Sequence, residues 1–353
     1  MRIAQVAPLY ESVPPKLYGG TERIIHYLTE ELLRQGHEVA LYASGDSTTH
    51  AELRAIVPRS LRLHPEGGDP LALHLVMLEQ VFRDASEFDI IHFHLDYLHF
   101  PYARRDCVPH IATQHGRLDI LDLQLSYREY IEMPLVSISN AQREPLPWAS
   151  WQATVYNGIP WDLYRFQERP GTYLSFLGRM SPEKRPDRAI YIAQRVGIPI
   201  KLAAKLDKVD RDYFEARVRP RLHEPGVEFI GEIGEPEKEQ FLGEALALLF
   251  PIDWPEPFGI VMIEAMACGT PVVAFPGGSV REIVQDGVTG FVVSSMDEAL
   301  TAVKRLELVD RRHCRRAFEQ SFSAERMTQN YLAVYNRVLH QYAADLSREP
   351  ALN

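Results

Sequence analysis

Cysteine is scarce in this chain: Cys107, Cys268 and Cys314 are the only three in 353 residues, and they lie far apart without metal or redox spacing. That excludes a disulfide framework and predicts a reducing, cytoplasmic setting in which each thiol is a small core hydrophobe. Long apolar runs are missing too. Met1 to Pro8 holds none of signal-peptide length, and no later stretch approaches the ~20 residues of a spanning helix, so a soluble protein without a transmembrane segment is expected. Positive charge is in deficit, with 38 Lys and Arg against 48 Asp and Glu and a net charge of −10. Nucleic acid or an anionic membrane is therefore not the expected partner, although weak peripheral membrane contact stays open. The Gly-x-Gly-x-x-Gly fingerprint is absent at Gly19-Gly20, which argues against an NAD-dependent enzyme.

What is present is an alternation of short apolar runs and amphipathic stretches, in a chain long enough for two domains. Arg2 to Ala7, Glu38 to Ala43, Ile90 to Phe93, His110 to Thr113 and Leu135 to Ile138 read as buried strands. Between the first two, Gly19-Gly20 opens a helix with Ile24, Leu28 and Leu32 on one face, ended by Gly36. A second set begins at Tyr173 to Leu177 and continues at Ile198 to Ala203, Glu228 to Ile230, Ala247 to Phe250, Pro271 to Phe275 and Phe291 to Val293. Helices are expected at Asp187 to Val196, capped by Gly197, and at Val261 to Ala267. The reading is α/β: two tandem Rossmann-like, doubly wound domains facing across a cleft. Asn157-Gly158 and Pro160 mark the boundary, giving residues 1–160, 161–325 and a final helical stretch 326–353 that either crosses back to the first domain or packs on the second.

The most informative stretch is Trp254-Pro-Glu-Pro-Phe-Gly-Ile-Val-Met-Ile-Glu264. It sets Glu256 and Glu264 around a helix start, ~12 Å apart at about 1.5 Å per helical residue. The amides of Phe258, Gly259 and Ile260 would form an anion-attracting helix end between them. That layout suits a diphosphate joining two polyhydroxylated rings, although an ordinary capped helix with two solvated acids reads equally well. Phe176-Leu-Gly-Arg-Met-Ser-Pro-Glu-Lys184 places Arg179 and Lys184 in a loop after a strand, where open parallel sheets bind ligands. A guanidinium fork and an ammonium suit phosphate oxygens. Gly19-Gly20 would let backbone approach a ligand closely. His92 and His94 share one side of their strand and read as structural, while His99, His110 and His115 add imidazoles without a spacing that defines a metal site. Asp210 and Asp212 read as a solvated helical face.

The run Glu256 to Val273, together with Gly178-Arg179 and Lys184, Val155 to Ile159, and Gly277 to Phe291, resembles the retaining glycosyltransferases of family four, which have the GT-B fold. The likeness is densest over residues 172–293. It implies catalytic roles for His94, Arg179, Lys184 and Glu256: the cations on the diphosphate, Glu256 on the sugar hydroxyls and His94 near the anomeric carbon. It implies donor contacts at Gly19, Gly20, Gly178, Ile233, Phe258, Gly259 and Ile260, with Glu264 on the ribose, and acceptor-side contacts at Glu22, Asp96 and His115. It implies a nucleoside-diphosphate sugar as donor, with UDP-sugar expected, a hydroxyl acceptor, and no metal or permanently bound cofactor. A sugar-nucleotide epimerase and a non-catalytic sugar-nucleotide binder are the rival readings. The acceptor, the sugar and the oligomeric state stay open.

Overall fold

The computed structural model describes residues 1–16, 19–63, 69–106 and 108–347; Cys107 lies outside them. The chain divides into two compact units, one formed by Met1–Gly158 with the chain from Ala324 onward, the other by Ile159–Ser323. Each is built on one parallel sheet.

In the first unit β1 (Arg2–Val6), β2 (Glu38–Ser44), β3 (Glu52–Val57), β4 (Ile90–Phe93), β5 (His110–Gln114), β6 (Leu135–Ser137) and β7 (Trp151–Thr154) lie in the order β3-β2-β1-β4-β5-β6-β7. The second unit holds β8 (Tyr173–Arg179), β9 (Ile200–Lys205), β10 (Val227–Gly231), β11 (Ala245–Phe250), β12 (Val272–Ala274) and β13 (Gly290–Val292) in the order β10-β9-β8-β11-β12-β13. Chain direction across each sheet reverses at one point, between β1 and β4 and between β8 and β11. Loops leaving those neighbours diverge to opposite faces and open a crevice at the carboxyl ends. Val6, Ile91, Phe93 and Ala112 are buried along the first sheet, and Leu174, Phe176, Leu248 and Val272 along the second. Continuous apolar burial of this kind is what helices on both faces of a parallel sheet demand.

Two strands escape the sequence pattern, β3 and β7, and both are edge strands. Glu52 and Arg54 break the apolar run of β3, and every residue of β7 is only half-buried, because an edge needs no two-sided apolar surface. Asp210 departs from the expected solvated face: its side chain is buried, while Asp212 is exposed as expected. The helix Ala324–Leu346 packs on the Gly20–Arg34 helix and β5 and is part of the first unit. Cys268 and Cys314 are free and buried. Among the described residues no helix is long and apolar enough to cross a membrane.

Candidate active site

In the second unit Lys184 and Glu256 meet beyond the carboxyl ends of β8 and β11, where the strand order reverses. Arg179 is the last residue of β8 rather than part of the following loop, and the segment Pro251 to Gly259 leaves the end of β11 beside it. Glu256 is almost buried, and its Oε2 receives both the Lys184 ammonium and, at 2.9 Å, the indole N–H of Trp254. Lys184 also stands over the Trp254 ring, 4.9 Å from its centre. One carboxylate oxygen is thus held by two donors, and no protein donor to Oε1 is found among the described residues. Arg179 is paired with Glu183, and Asp207 lies 4.0 Å from it. Both cations expected on phosphate oxygens carry carboxylate partners in this structure, an arrangement in which a more highly charged anion would compete for them.

The backbone supports this geometry through glycines. Gly259 caps the Ile260–Ala267 helix with φ 79°, where a side chain is strained, and an added Cβ would lie 2.8 Å from Met262. Gly278, at φ 54°, leaves no room at all: its Cβ would fall 2.1 Å from the carbonyl oxygen of Glu256. The Ser279 hydroxyl donates to the Phe258 carbonyl at 2.7 Å and its amide to the Glu256 carbonyl at 3.0 Å. The helix begins at Ile260, so Ile260 is the only one of the three expected amides in its first turn. Phe258 lies before the cap, with its side chain buried.

Glu264 departs further from expectation. It is enclosed on the inner face of the helix, 2% exposed, with the Lys238 ammonium at 2.8 Å and the Tyr164 hydroxyl at 3.4 Å. The two carboxylates of the motif are therefore not equivalent: Glu256 keeps an oxygen without a protein donor, while Glu264 is neutralised by a buried cation. Helical periodicity turns position 264 toward the Glu235–Gly243 helix that supplies Lys238. Gly178 lies within β8, and Ile233 sits half-buried in the turn after β10, two residues past Gly231 at φ 85°. Trp254 also lines a cavity of about 410 Å³ with Arg188, Asp253, Phe275, Gly278 and Ser294.

The first unit presents different chemistry at its own reversal point. Gly19 caps the Gly20–Arg34 helix, and a Cβ there would come within 2.7 Å of Pro15, so packing against Pro15 requires glycine whatever ligand approaches. Glu22, in the first turn, is buried, and loss of hydration raises its carboxyl to about 7. Asp96 follows β4 in the left-handed region, φ 50°, with its side chain exposed.

The histidines form a chain. His92 is fully buried, with the Tyr335 hydroxyl 2.9 Å from Nδ1 and the Thr113 hydroxyl 2.7 Å from Nε2. His94 has Gln5 Oε1 at 2.8 Å from Nε2 and His115 Nε2 at 2.8 Å from Nδ1. Burial holds His92 and His94 well below the ordinary imidazole pKa. His115 retains some exposure at the end of β5, but its enclosed part lowers its pKa to about 4. Both ring nitrogens of His94 are occupied by protein, so His115 is the end of the chain that a ligand can reach. Sequence reading singled out His94 through the family resemblance, whereas its spacing with His92 read as structural. It missed Gln5 and Tyr335, which are 330 positions apart and meet at 3.2 Å. Trp254 was legible two residues from Glu256, whereas Lys238 carried no local signal. No group of three or more His, Cys, Asp or Glu side chains able to hold a metal is found among the described residues.

A pair of doubly wound parallel sheets with cationic and acidic groups at a reversal point defines the GT-B class of fold. The family model described as "Glycosyl transferases group 1" matches residues 166–321, and that described as "Glycosyltransferase Family 4" matches residues 18–156. The chain belongs with the family 4-like GT-B glycosyltransferases. AviGT4, a glycosyltransferase involved in avilamycin A biosynthesis, superimposes with a TM-score of 0.74 at 25% identity, covering 96% of this chain and 98% of its own. Anabaena Alr3699/HepE, solved with UDP and glucose, shares the fold with a TM-score of 0.74 at 18% identity over 95% of this chain and 99% of its own. The D-inositol 3-phosphate glycosyltransferase of Mycobacterium tuberculosis (strain ATCC 25618 / H37Rv) is 30% identical over 229 residues, 55% of this chain. That match spans 45% of the relative, so this chain aligns with about half of its length.

Proposed function

We propose that this protein moves a sugar from a nucleoside-diphosphate sugar to an acceptor hydroxyl with the anomeric configuration retained, and that the donor is a UDP-sugar. The observation that carries the reading is Glu256, pinned by Lys184 and Trp254 with one oxygen still open, on the segment that follows β11, the strand paired with β8, which ends in Arg179 at the reversal point of the second sheet. The structurally similar Anabaena Alr3699/HepE, solved in complex with UDP, supports the choice of base. In this reading the bond from the anomeric carbon to the diphosphate oxygen breaks with its electron pair going to the diphosphate. Lys184, Arg179 and the helix amide of Ile260 stabilise that charge. The acceptor oxygen then bonds to the anomeric carbon from the face the diphosphate leaves, and a phosphate oxygen takes the acceptor proton.

Glu256 Oε1 accepts from sugar hydroxyls. Glu264, enclosed by Lys238, braces the helix instead of meeting the ribose directly. In the first unit His115 and Glu22 are the acceptor-side candidates. The side-chain cations serve where other transferases use a divalent metal, so activity survives EDTA; loss restored by Mn²⁺ or Mg²⁺ refutes that part. The free cysteines accord with a cytoplasmic setting.

Calorimetric titration with UDP, GDP and ADP, followed by incubation with sugar nucleotides of the winning base, tests the reading. Preferential UDP binding with slow release of UDP from one sugar donor is expected. Binding of no nucleotide overturns it, UDP binding without turnover on any donor or acceptor favours a binder, and isomerisation of a donor with no acceptor favours an epimerase.

A further inference from the structure

The histidine chain has a direction, set by one amide. Gln5 is fully buried between β1's neighbours, with its nitrogen 3.2 Å from the Tyr335 hydroxyl and its oxygen 2.8 Å from His94 Nε2. An amide nitrogen only donates and an amide oxygen only accepts. The Tyr335 oxygen therefore accepts from Gln5, and its own hydrogen goes to His92 Nδ1 at 2.9 Å. His92 must then carry its hydrogen on Nε2, donated to Thr113 Oγ1 at 2.7 Å, and the Thr113 hydrogen passes to the Tyr331 oxygen at 3.0 Å. On the other branch Gln5 Oε1 takes the hydrogen of His94 Nε2. His94 Nδ1 is left bare and accepts from His115 Nε2–H at 2.8 Å. The outermost nitrogen, His115 Nδ1, then has no hydrogen. It has no protein partner among the described residues and is not one of the enclosed polar atoms left unpaired.

We infer that Gln5 and Tyr335 are positioning residues that hold His94 and His115 in the Nε2–H tautomer, so that His115 presents a bare Nδ1 as hydrogen-bond acceptor to a substrate hydroxyl. The inference rests on the transfer reading for the identity of that hydroxyl. The tautomers follow from the orientation of the Gln5 amide, whatever the substrate. Tyr331 and Tyr335 come from the Ala324–Leu346 helix, so the last helix of the chain sets the proton positions of residues on β4 and at the end of β5. With every nitrogen of His92 and His94 engaged and both rings buried, neither can rotate or change tautomer without breaking two hydrogen bonds. Turning the Gln5 amide over would reverse every hydrogen and leave His115 with an outward N–H donor. One amide orientation thus decides whether this end of the chain accepts or donates.

Long-range ¹H–¹⁵N spectra of the full chain labelled with ¹⁵N-histidine, at neutral pH, read the tautomers directly. His94→Gln and His115→Gln serve only to assign the signals. The expected result is hydrogen on Nε2 of both His94 and His115; hydrogen on Nδ1 of either overturns the inference. Tyr335→Phe removes one hydroxyl, and it is expected to convert His92 and His94 to tautomer mixtures. Turnover should fall roughly two- to tenfold with the donor KM unchanged. Unmoved His92 and His94 signals would overturn the role of Tyr335. If that variant fails to fold, Gln5→Met is read the same way at His94. Failure of all sugar nucleotides with the tautomers as stated removes the transfer reading and leaves the relay standing, whereas sugar transfer with reversed tautomers removes the relay alone.

Discussion

Lys184 and Glu256 meet with side chains 12% and 10% exposed, whereas His92 and His94 are 0% and 3% exposed. Both groups occupy the same place in their units, the carboxyl ends of strands where a parallel sheet reverses. The second unit uses full charges of opposite sign, still close enough to solvent for a ligand anion to exchange with Glu256. The first uses neutral groups in a hydrogen-bonded chain whose buried members, His92 and His94, cannot take a proton without losing a partner. A charged pair suits a charged ligand that displaces it. A neutral relay suits an uncharged hydroxyl, whose recognition depends on which atom carries hydrogen.

The largest effect that would sharpen this contrast lies away from the open pair. Lys238→Met strands Glu264 without its cation in a buried site and is expected to cost about 3–5 kcal/mol of stability in urea unfolding, while Lys238→Met with Glu264→Met recovers most of it. A single-variant loss below about 1 kcal/mol would mean Glu264 is hydrated after all. Lys184→Ala should leave the fold intact and lower turnover by about a hundred- to a thousandfold, because the departing diphosphate loses its counter-charge. Unchanged turnover removes Lys184 from the site. Gly278→Ala drives a methyl group into the Glu256 backbone and should cost about 2 kcal/mol or more, seen as a lower melting temperature together with impaired donor binding. Normal stability and binding would show that this loop does not aim Glu256.

Acidification should separate the units. An imidazole whose folded pKa lies below its unfolded value of 6.5 takes up a proton on unfolding, so its contribution is complete above 6.5 and is lost as pH falls toward the folded value, about 4 for His115. His92, His94, His99 and His110 shift the same way. Each contributes a loss of about 1.4 kcal/mol per pH unit within its window. Glu22 opposes them: its raised carboxyl favours the folded state in acid, and that contribution is lost as pH rises through about 7. Asp96, its carboxyl raised to about 6, opposes them in the same sense, and five imidazoles outweigh the two carboxyls. Hydrogen exchange corrected for intrinsic rates should show residues 90–115 opening more readily at pH 5 than at pH 7.5; equal protection at both would contradict the neutral relay. The smallest change, Trp254→Phe, keeps the ring under Lys184 but removes the N–H to Glu256, and a roughly tenfold rise in donor KM is expected from the loss of one charge-assisted hydrogen bond, worth about 1.5 kcal/mol. An unaltered KM would mean that Lys184 alone aims the carboxylate.

The sequence by itself determined the two-sheet α/β architecture, because apolar runs of strand length separated by amphipathic helices admit few other packings. It also placed Arg179 and Lys184 at the end of a strand, since strand ends and loops are read locally, while the meeting of Lys184 with Glu256 across 72 positions is a tertiary contact. The edge strands β3 and β7 were not legible, because a strand covered on one side needs no continuous apolar run. Tertiary structure alone decided that Glu264 faces a buried lysine while Glu256 keeps an open oxygen, for that depends on which helix packs against position 264. It alone joined Gln5 to Tyr335 and so set the histidine tautomers, because a hydrogen bond across 330 positions leaves no local trace in either segment.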